Sequence, residues 1–102
     1  MYLLEIDEII EHNECDWVET RCLCVSESRE KLQDLANKIK EESIEYSKVE
    51  RDIRYSKCFK DSEKHDMLMV SHKTFKHLSE YQVFREIDDS ENKLSIIEIK
   101  VI

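Results

Sequence analysis

The chain has 102 residues, 24 acidic and 16 basic, with a formal net charge of −8 and neither glycine nor proline, where an average sequence of this length carries roughly 7 and 5 of them. Phosphate-cradling loops, dinucleotide-binding turns and strained nucleophile elbows are thereby excluded, because each needs positive φ or a backbone approach that a Cβ blocks. Nonspecific attraction to phosphate backbones or anionic lipid is disfavoured over most of such a surface.

The length predicts one domain over residues 1–102, and the 39% charged and 40% hydrophobic content predicts a thin core beneath a solvated surface. Met1 leads straight into Tyr2-Leu3-Leu4-Glu5-Ile6 without a basic leader or an apolar run of signal length, so a cytoplasmic chain with no membrane partner is expected. In that setting Cys15, Cys22, Cys24 and Cys58 read as free thiols.

Residues 2–11 place Leu4 and Ile6 on one face and Glu5, Asp7 and Glu11 on the other, with Ile9 and Ile10 breaking the alternation; this predicts a strand. His12-Asn13-Glu14-Cys15-Asp16 supplies a turn through Asn13 or Asp16. Residues 17–25 complete a hairpin, with Val18, Thr20, Cys22 and Cys24 on one side and Trp17, Glu19, Arg21, Leu23 and Val25 on the other. Ser26-Glu27-Ser28 offers N-caps for a long helix whose stripe runs through Leu32, Leu35, Ala36 and Ile39, then Tyr46, Val49 and Ile53, toward residue 55, with a break at Ser43 or Ser47 as the alternative.

Residues 57–66 read as a charged surface loop and 67–70 as a short apolar strand. Ser71 is the expected cap of a short helix, with Val70 and Phe75 as a hydrophobic staple and Leu78 on its buried side. Residues 81–88 alternate as a strand, Asp89-Ser90-Glu91-Asn92 forms a turn, and residues 94–102 form a last strand, so a terminal hairpin is expected. The order β-β-α-β-α-β-β predicts an α+β fold, a largely antiparallel sheet with the long helix on one face. Ile96, Ile97, Ile99, Val101 and Ile102 put apolar groups on both faces of the last strand. A central place in the sheet is the first reading, and an edge covered by a second copy, giving a homodimer through the C-terminal strand, is the other.

His12, Cys15, Cys22 and Cys24 are of types that bind zinc, but Cys22 and Cys24 would stand about 7 Å apart on one strand face. That spacing suits buried apolar cysteines better than a shared ion. Cys58 lies among Lys57, Lys60 and Lys64 with no resolving thiol or base close in sequence. A small metal- or thiol-dependent protein remains one alternative. His72 and His77, five positions apart, cannot share a helical face and read as surface residues. No serine sits in a nucleophile motif and no carboxylate is singled out for acid–base work. No enzyme, catalytic residue, metal ligand or cofactor is therefore expected.

Charge is unevenly spread. Residues 1–25 hold seven acids against Arg21 alone, net −6, while residues 48–64 hold six basic side chains against four acids, net +2. The acidic hairpin, with Glu5, Asp7, Glu11, Glu14 and Glu19, is the candidate interface for a basic surface on another protein; in its strongest form it imitates a phosphate backbone and inhibits a nucleic-acid-binding protein. Trp17 reads first as a core residue and second as an aromatic anchor of that interface. The alternative is contact with nucleic acid through Lys48, Arg51, Arg54, Lys57 and Lys60, interleaved with Tyr46, Tyr55 and Phe59. An excess of two charges is small for that task and the rest of the chain would repel the ligand, so a protein is the expected partner.

Tyr2-Leu3-Leu4, the polar hairpin, and Val25-Ser26-Glu27-Ser28-Arg29-Glu30 leading into a helix resemble small uncharacterised α+β proteins of bacteria and their phages. The resemblance covers about the first 40 residues, and this chain lacks the glycine such sequences often carry before the serine pair. It implies a strand-strand-helix opening and assigns no functional residue; the chain as a whole reads as a binding module, an accessory or inhibitory protein of a phage or mobile element.

Overall fold

The computed structural model describes residues 1–88 and 92–100. Its elements are β1 (Tyr2–His12), β2 (Cys15–Ser26), α1 (Arg29–Arg54), α2 (Asp61–Thr74), α3 (Lys76–Tyr81) and β3 (Lys93–Glu98). The three strands form an antiparallel sheet in the order β2-β1-β3, so the protein is α+β. Two compact units divide the chain, Met1–Lys38 with Ile87–Ile102, and Ile39–Glu86. No helix among the described residues is long and apolar enough to cross a membrane.

In the first unit, β1 is central and pairs with both neighbours. Leu4 and Ile6, fully buried, are the apolar face of β1; each such burial is worth roughly 1.5–3 kcal/mol. Across the sheet Leu4 stands beside Cys24 and Ile96, and Ile6 beside Arg21 and Leu94. The Arg29–Lys38 part of α1 packs on the sheet and buries Leu32 and Ala36 at the spacing of one helical turn. Its start is fixed by Ser28, whose Oγ accepts the Lys31 N–H at 3.3 Å, while Ser26 Oγ accepts the Ser28 N–H at 3.1 Å. Both serines of the expected capping pair are thus used, and α1 runs unbroken to Arg54, close to the expected end.

The hairpin turn is made by Asn13 and Glu14, at φ 47° and 68°. A two-residue turn matching the strand twist needs positive φ at both positions; with no glycine in the chain, Asn13 and a glutamate take them. Asp16, the other expected turn residue, pairs with Glu11 inside the ladder instead. A bulge at Leu23 skips one residue of β2, so that Cys22 stands opposite Glu5 and Cys24 opposite Leu4, on opposite faces. The expected common face for Val18, Thr20, Cys22 and Cys24 therefore holds only as far as Cys22, and Val25 joins Leu3 on the open face. Cys15 and Cys22 are exposed and Cys24 half-buried, contrary to the expectation of buried thiols in the hairpin, because β2 is a sheet edge; Cys58, outside the sheet, is exposed.

β3 also differs from expectation. It is an edge strand rather than a central one, and it pairs with β1 instead of closing a terminal hairpin with residues 81–88. Asn92 ends the ladder: its Oδ1 accepts the Ile9 N–H at 3.2 Å, just past the Asp7–Lys93 pair, and Asp88 and Asn92 exchange two further bonds. Asp89, Ser90 and Glu91 of the expected turn, and Val101 and Ile102 of the expected strand, lie outside the described residues.

The second unit is helical. The Ile39–Arg54 part of α1 buries Ile39, Ser43, Tyr46 and Ile53. Residues 61–66, expected in a loop, and 67–70, expected as a strand, are both helix in α2. Asp61 and Glu63 in its first turn suit the positive end of the helix dipole, and the inward stripe is Lys64, Met67, Leu68, Ser71 and His72. Three of those five are polar, which hid the helical period. Ser71 is inside α2 and Val70 is exposed, so the expected cap and staple do not form. At Phe75 the backbone turns extended and α3 begins.

Residues 81–88 make no strand because their backbone groups are committed locally. Gln82 takes the left-handed conformation that glycine usually fills, the Val83 N–H bonds the Leu78 carbonyl at 2.9 Å, and the Val83 carbonyl accepts His72 Nε2 at 2.7 Å. Val83 and Ile87 are buried nonetheless, so the alternation reported burial without a ladder.

Candidate functional site

β3 accompanies β1 only from Tyr2 to Asp7, so the hairpin from Glu8 through Glu19 continues as a two-stranded ribbon among the described residues. Its sequence contains five acids and no lysine or arginine. Register decides how these acids meet. Glu11 stands directly opposite Asp16, and Glu8 directly opposite Glu19. Like charges in opposed positions destabilise a hairpin by roughly 0.2–1 kcal/mol a pair. Among the described residues the cation paired with them is Arg21, whose Nε lies 3.0 Å from Glu8 Oε1.

Of the five acids singled out from sequence, Glu5, Asp7 and Glu11 share the open face of β1, as their alternation requires. Glu14 sits in the turn, and Glu19 lies on the opposite face beside Glu8. Glu11, Glu14 and Glu19 are exposed, whereas Glu5 and Asp7 are half-buried between neighbouring strands. Asp7 Oδ1 accepts the Thr20 hydroxyl at 2.6 Å, and Lys93 is its other cross-strand neighbour. The acidic surface therefore concentrates at the far end of the hairpin and wraps both its faces. Asp16, which the sequence did not single out, belongs to it as an exposed acid, whereas Glu8 is half-buried like Glu5 and paired with Arg21.

Trp17 is not core. It stands opposite Ile10 with 42% of its surface exposed, and its Nε1 donates to Glu19 Oε1 at 3.0 Å. An exposed indole next to exposed carboxylates is the pairing that an anchored electrostatic interface uses.

The basic alternative is arranged differently. Lys48 Nζ lies 3.6 Å from Glu45 Oε1 and Arg54 Nε 3.0 Å from Glu50 Oε1, both pairs on the surface of α1. Arg51, Lys57 and Lys60 are exposed. Across whole units the contrast is sharper: Met1–Lys38 with Ile87–Ile102 carries fourteen acids and six lysines and arginines, while Ile39–Glu86 carries ten of each. The full net charge of −8 thus resides in the unit that holds the hairpin.

His72 and His77, read from sequence as surface residues, are not. His72 is 5% exposed and packs between Tyr46, edge-on at 5.1 Å, and Phe84, stacked at 4.2 Å. His77 is half-buried and held by Glu42. Neither pairing has a local sequence signal, since the partners lie 26 and 12 residues from His72 and 35 residues from His77. Among the described residues no group of three or more His, Cys, Asp and Glu side chains is placed to hold a metal ion. No protein family, curated protein or solved structure matches the chain.

Proposed function

We propose that this protein is a small binding module, without catalytic turnover, whose acidic hairpin docks on a basic surface of another protein. The opposition of acid to acid in the Glu11–Asp16 and Glu8–Glu19 pairs carries the reading. An arrangement that lowers the protein's own stability is retained where it serves something else, and cations supplied by a partner would relieve the repulsion. Carboxylates open to water suit attraction at a surface, whereas general acid–base work calls for a group withdrawn from water. The three exposed thiols suit a reducing, cytoplasmic setting.

In the strongest form of this reading, the carboxylates stand in for backbone phosphates and the partner is a nucleic-acid-binding protein of the host cell. Affinity capture with the full chain at low and high salt tests it. Protein recovered at low salt, released at high salt and displaced by duplex DNA supports the phosphate-imitating form. Displacement by salt but not by DNA supports docking on a basic surface of another kind. Recovery of nucleic acid instead of protein contradicts both.

A further inference from the structure

The Ile39–Glu86 unit has a shallow cleft of ≈ 440 Å³, within the usual size range of small-ligand sites. Its two ends differ. At one end the Phe84 ring, 60% exposed, lies flat on His72 at 4.2 Å and 17°. The shelf is fixed from beneath: His72 Nε2 donates to the Val83 carbonyl at 2.7 Å, Val83 is fully buried, and Tyr46 meets the imidazole edge-on. Phe84 is thus held at the surface by its neighbour's burial, with ring surface left open to water. At the other end are Arg54 and His65, which also line an adjoining hollow with Lys64 and Asp61, and Arg85 borders the same cleft. The acid in the cleft is Glu50, and Arg54 occupies it at 3.0 Å.

An open aromatic face and a cationic end select a ligand that has both a flat ring and a negative charge. We propose that the Phe84–His72 shelf and the Arg54–His65 end form a binding site for a free mononucleotide, the base stacking on Phe84 and the phosphate meeting Arg54. Stacking on an aromatic ring is worth about 1–3 kcal/mol per base and tolerates any base, and an arginine fork matches phosphate oxygens. A single nucleotide fits better than a strand, because the chain's net charge of −8 repels a polyanion. The site lies outside the acidic hairpin and does not rest on that hairpin's partner.

The test is calorimetric titration of the full chain with AMP, adenosine, ribose 5-phosphate and an oligoadenylate of about eight nucleotides. AMP should bind at least about tenfold more tightly than adenosine or ribose 5-phosphate, each of which lacks one half of the recognised chemistry. Phe84→Ala and Arg54→Ala should each weaken AMP by about tenfold; both side chains are largely exposed, so folding should survive. AMP binding no tighter than its fragments, or unaltered in both variants, would overturn the proposal. So would an oligonucleotide that binds about tenfold more tightly than AMP, which would assign the surface to single-stranded nucleic acid.

Discussion

Glu42 caps a helix to which it does not belong. From α1, its Oε1 accepts the backbone N–H of His77 at 3.0 Å and its Oε2 meets His77 Nδ1, at the start of α3. Phe75, the residue in the N-cap position of α3, has no side-chain acceptor to offer. The unmet N–H of the first turn is therefore satisfied from a distance of 35 residues in sequence. Glu42→Ala should cost about 1–2 kcal/mol in denaturant unfolding. Glu45→Ala, which breaks the exposed pair with Lys48, should cost less than about 0.5 kcal/mol. Equal losses in the two variants would show that the capping bond does not matter.

Tyr46 supplies a pH dependence. Burial, and secondarily the charge of Glu50, raise its pKa above the ordinary 10.0, with Arg54 opposing. The folded state then holds the phenol proton more tightly than the unfolded chain does. This stabilisation is fully present below pH 10.0 and is lost as pH rises through the folded value. Wild type should therefore lose stability above about pH 10 more steeply than Tyr46→Phe. Parallel stability curves for the two proteins in that range would contradict the assignment.

Gln82 pays a conformational cost in place of glycine. At φ 54° and ψ 48° it is left-handed, and its N–H closes α3 on Leu78 and Ser79. A non-glycine residue there costs roughly 1–2 kcal/mol, partly offset by the lower entropy of its unfolded chain. Gln82→Gly should raise unfolding free energy by about 0.5–1 kcal/mol. A decrease would mean that the Gln82 side chain contributes more than its backbone strain.

Much of this was legible in the sequence where the pattern is local. Alternation at Leu4 and Ile6 and the Ser26–Ser28 caps gave the opening hairpin and the reach of α1, and the acid run gave the hairpin's charge. What stayed hidden depends on contacts across the fold. The inward stripe of α2 is largely polar because Ser71 and His72 occupy it, and residues 81–88 bury alternate side chains without making a ladder. Register was also out of reach, since the Leu23 bulge decides which face the residues after Cys22 present. The candidate cleft left no motif: Tyr46, His72 and Phe84 converge from three separate segments.

The central claim is that acid opposes acid in the hairpin for the sake of a partner. Glu11→Lys and Glu19→Lys together convert both opposed pairs to opposite charge, so the thermal midpoint and partner capture are measured on the same double variant. The expected result is a protein that melts no earlier than wild type, with a gain of about 0.2–1 kcal/mol per pair, and that no longer captures its partner at low salt. Capture at the wild-type level by that stably folded variant would contradict the account.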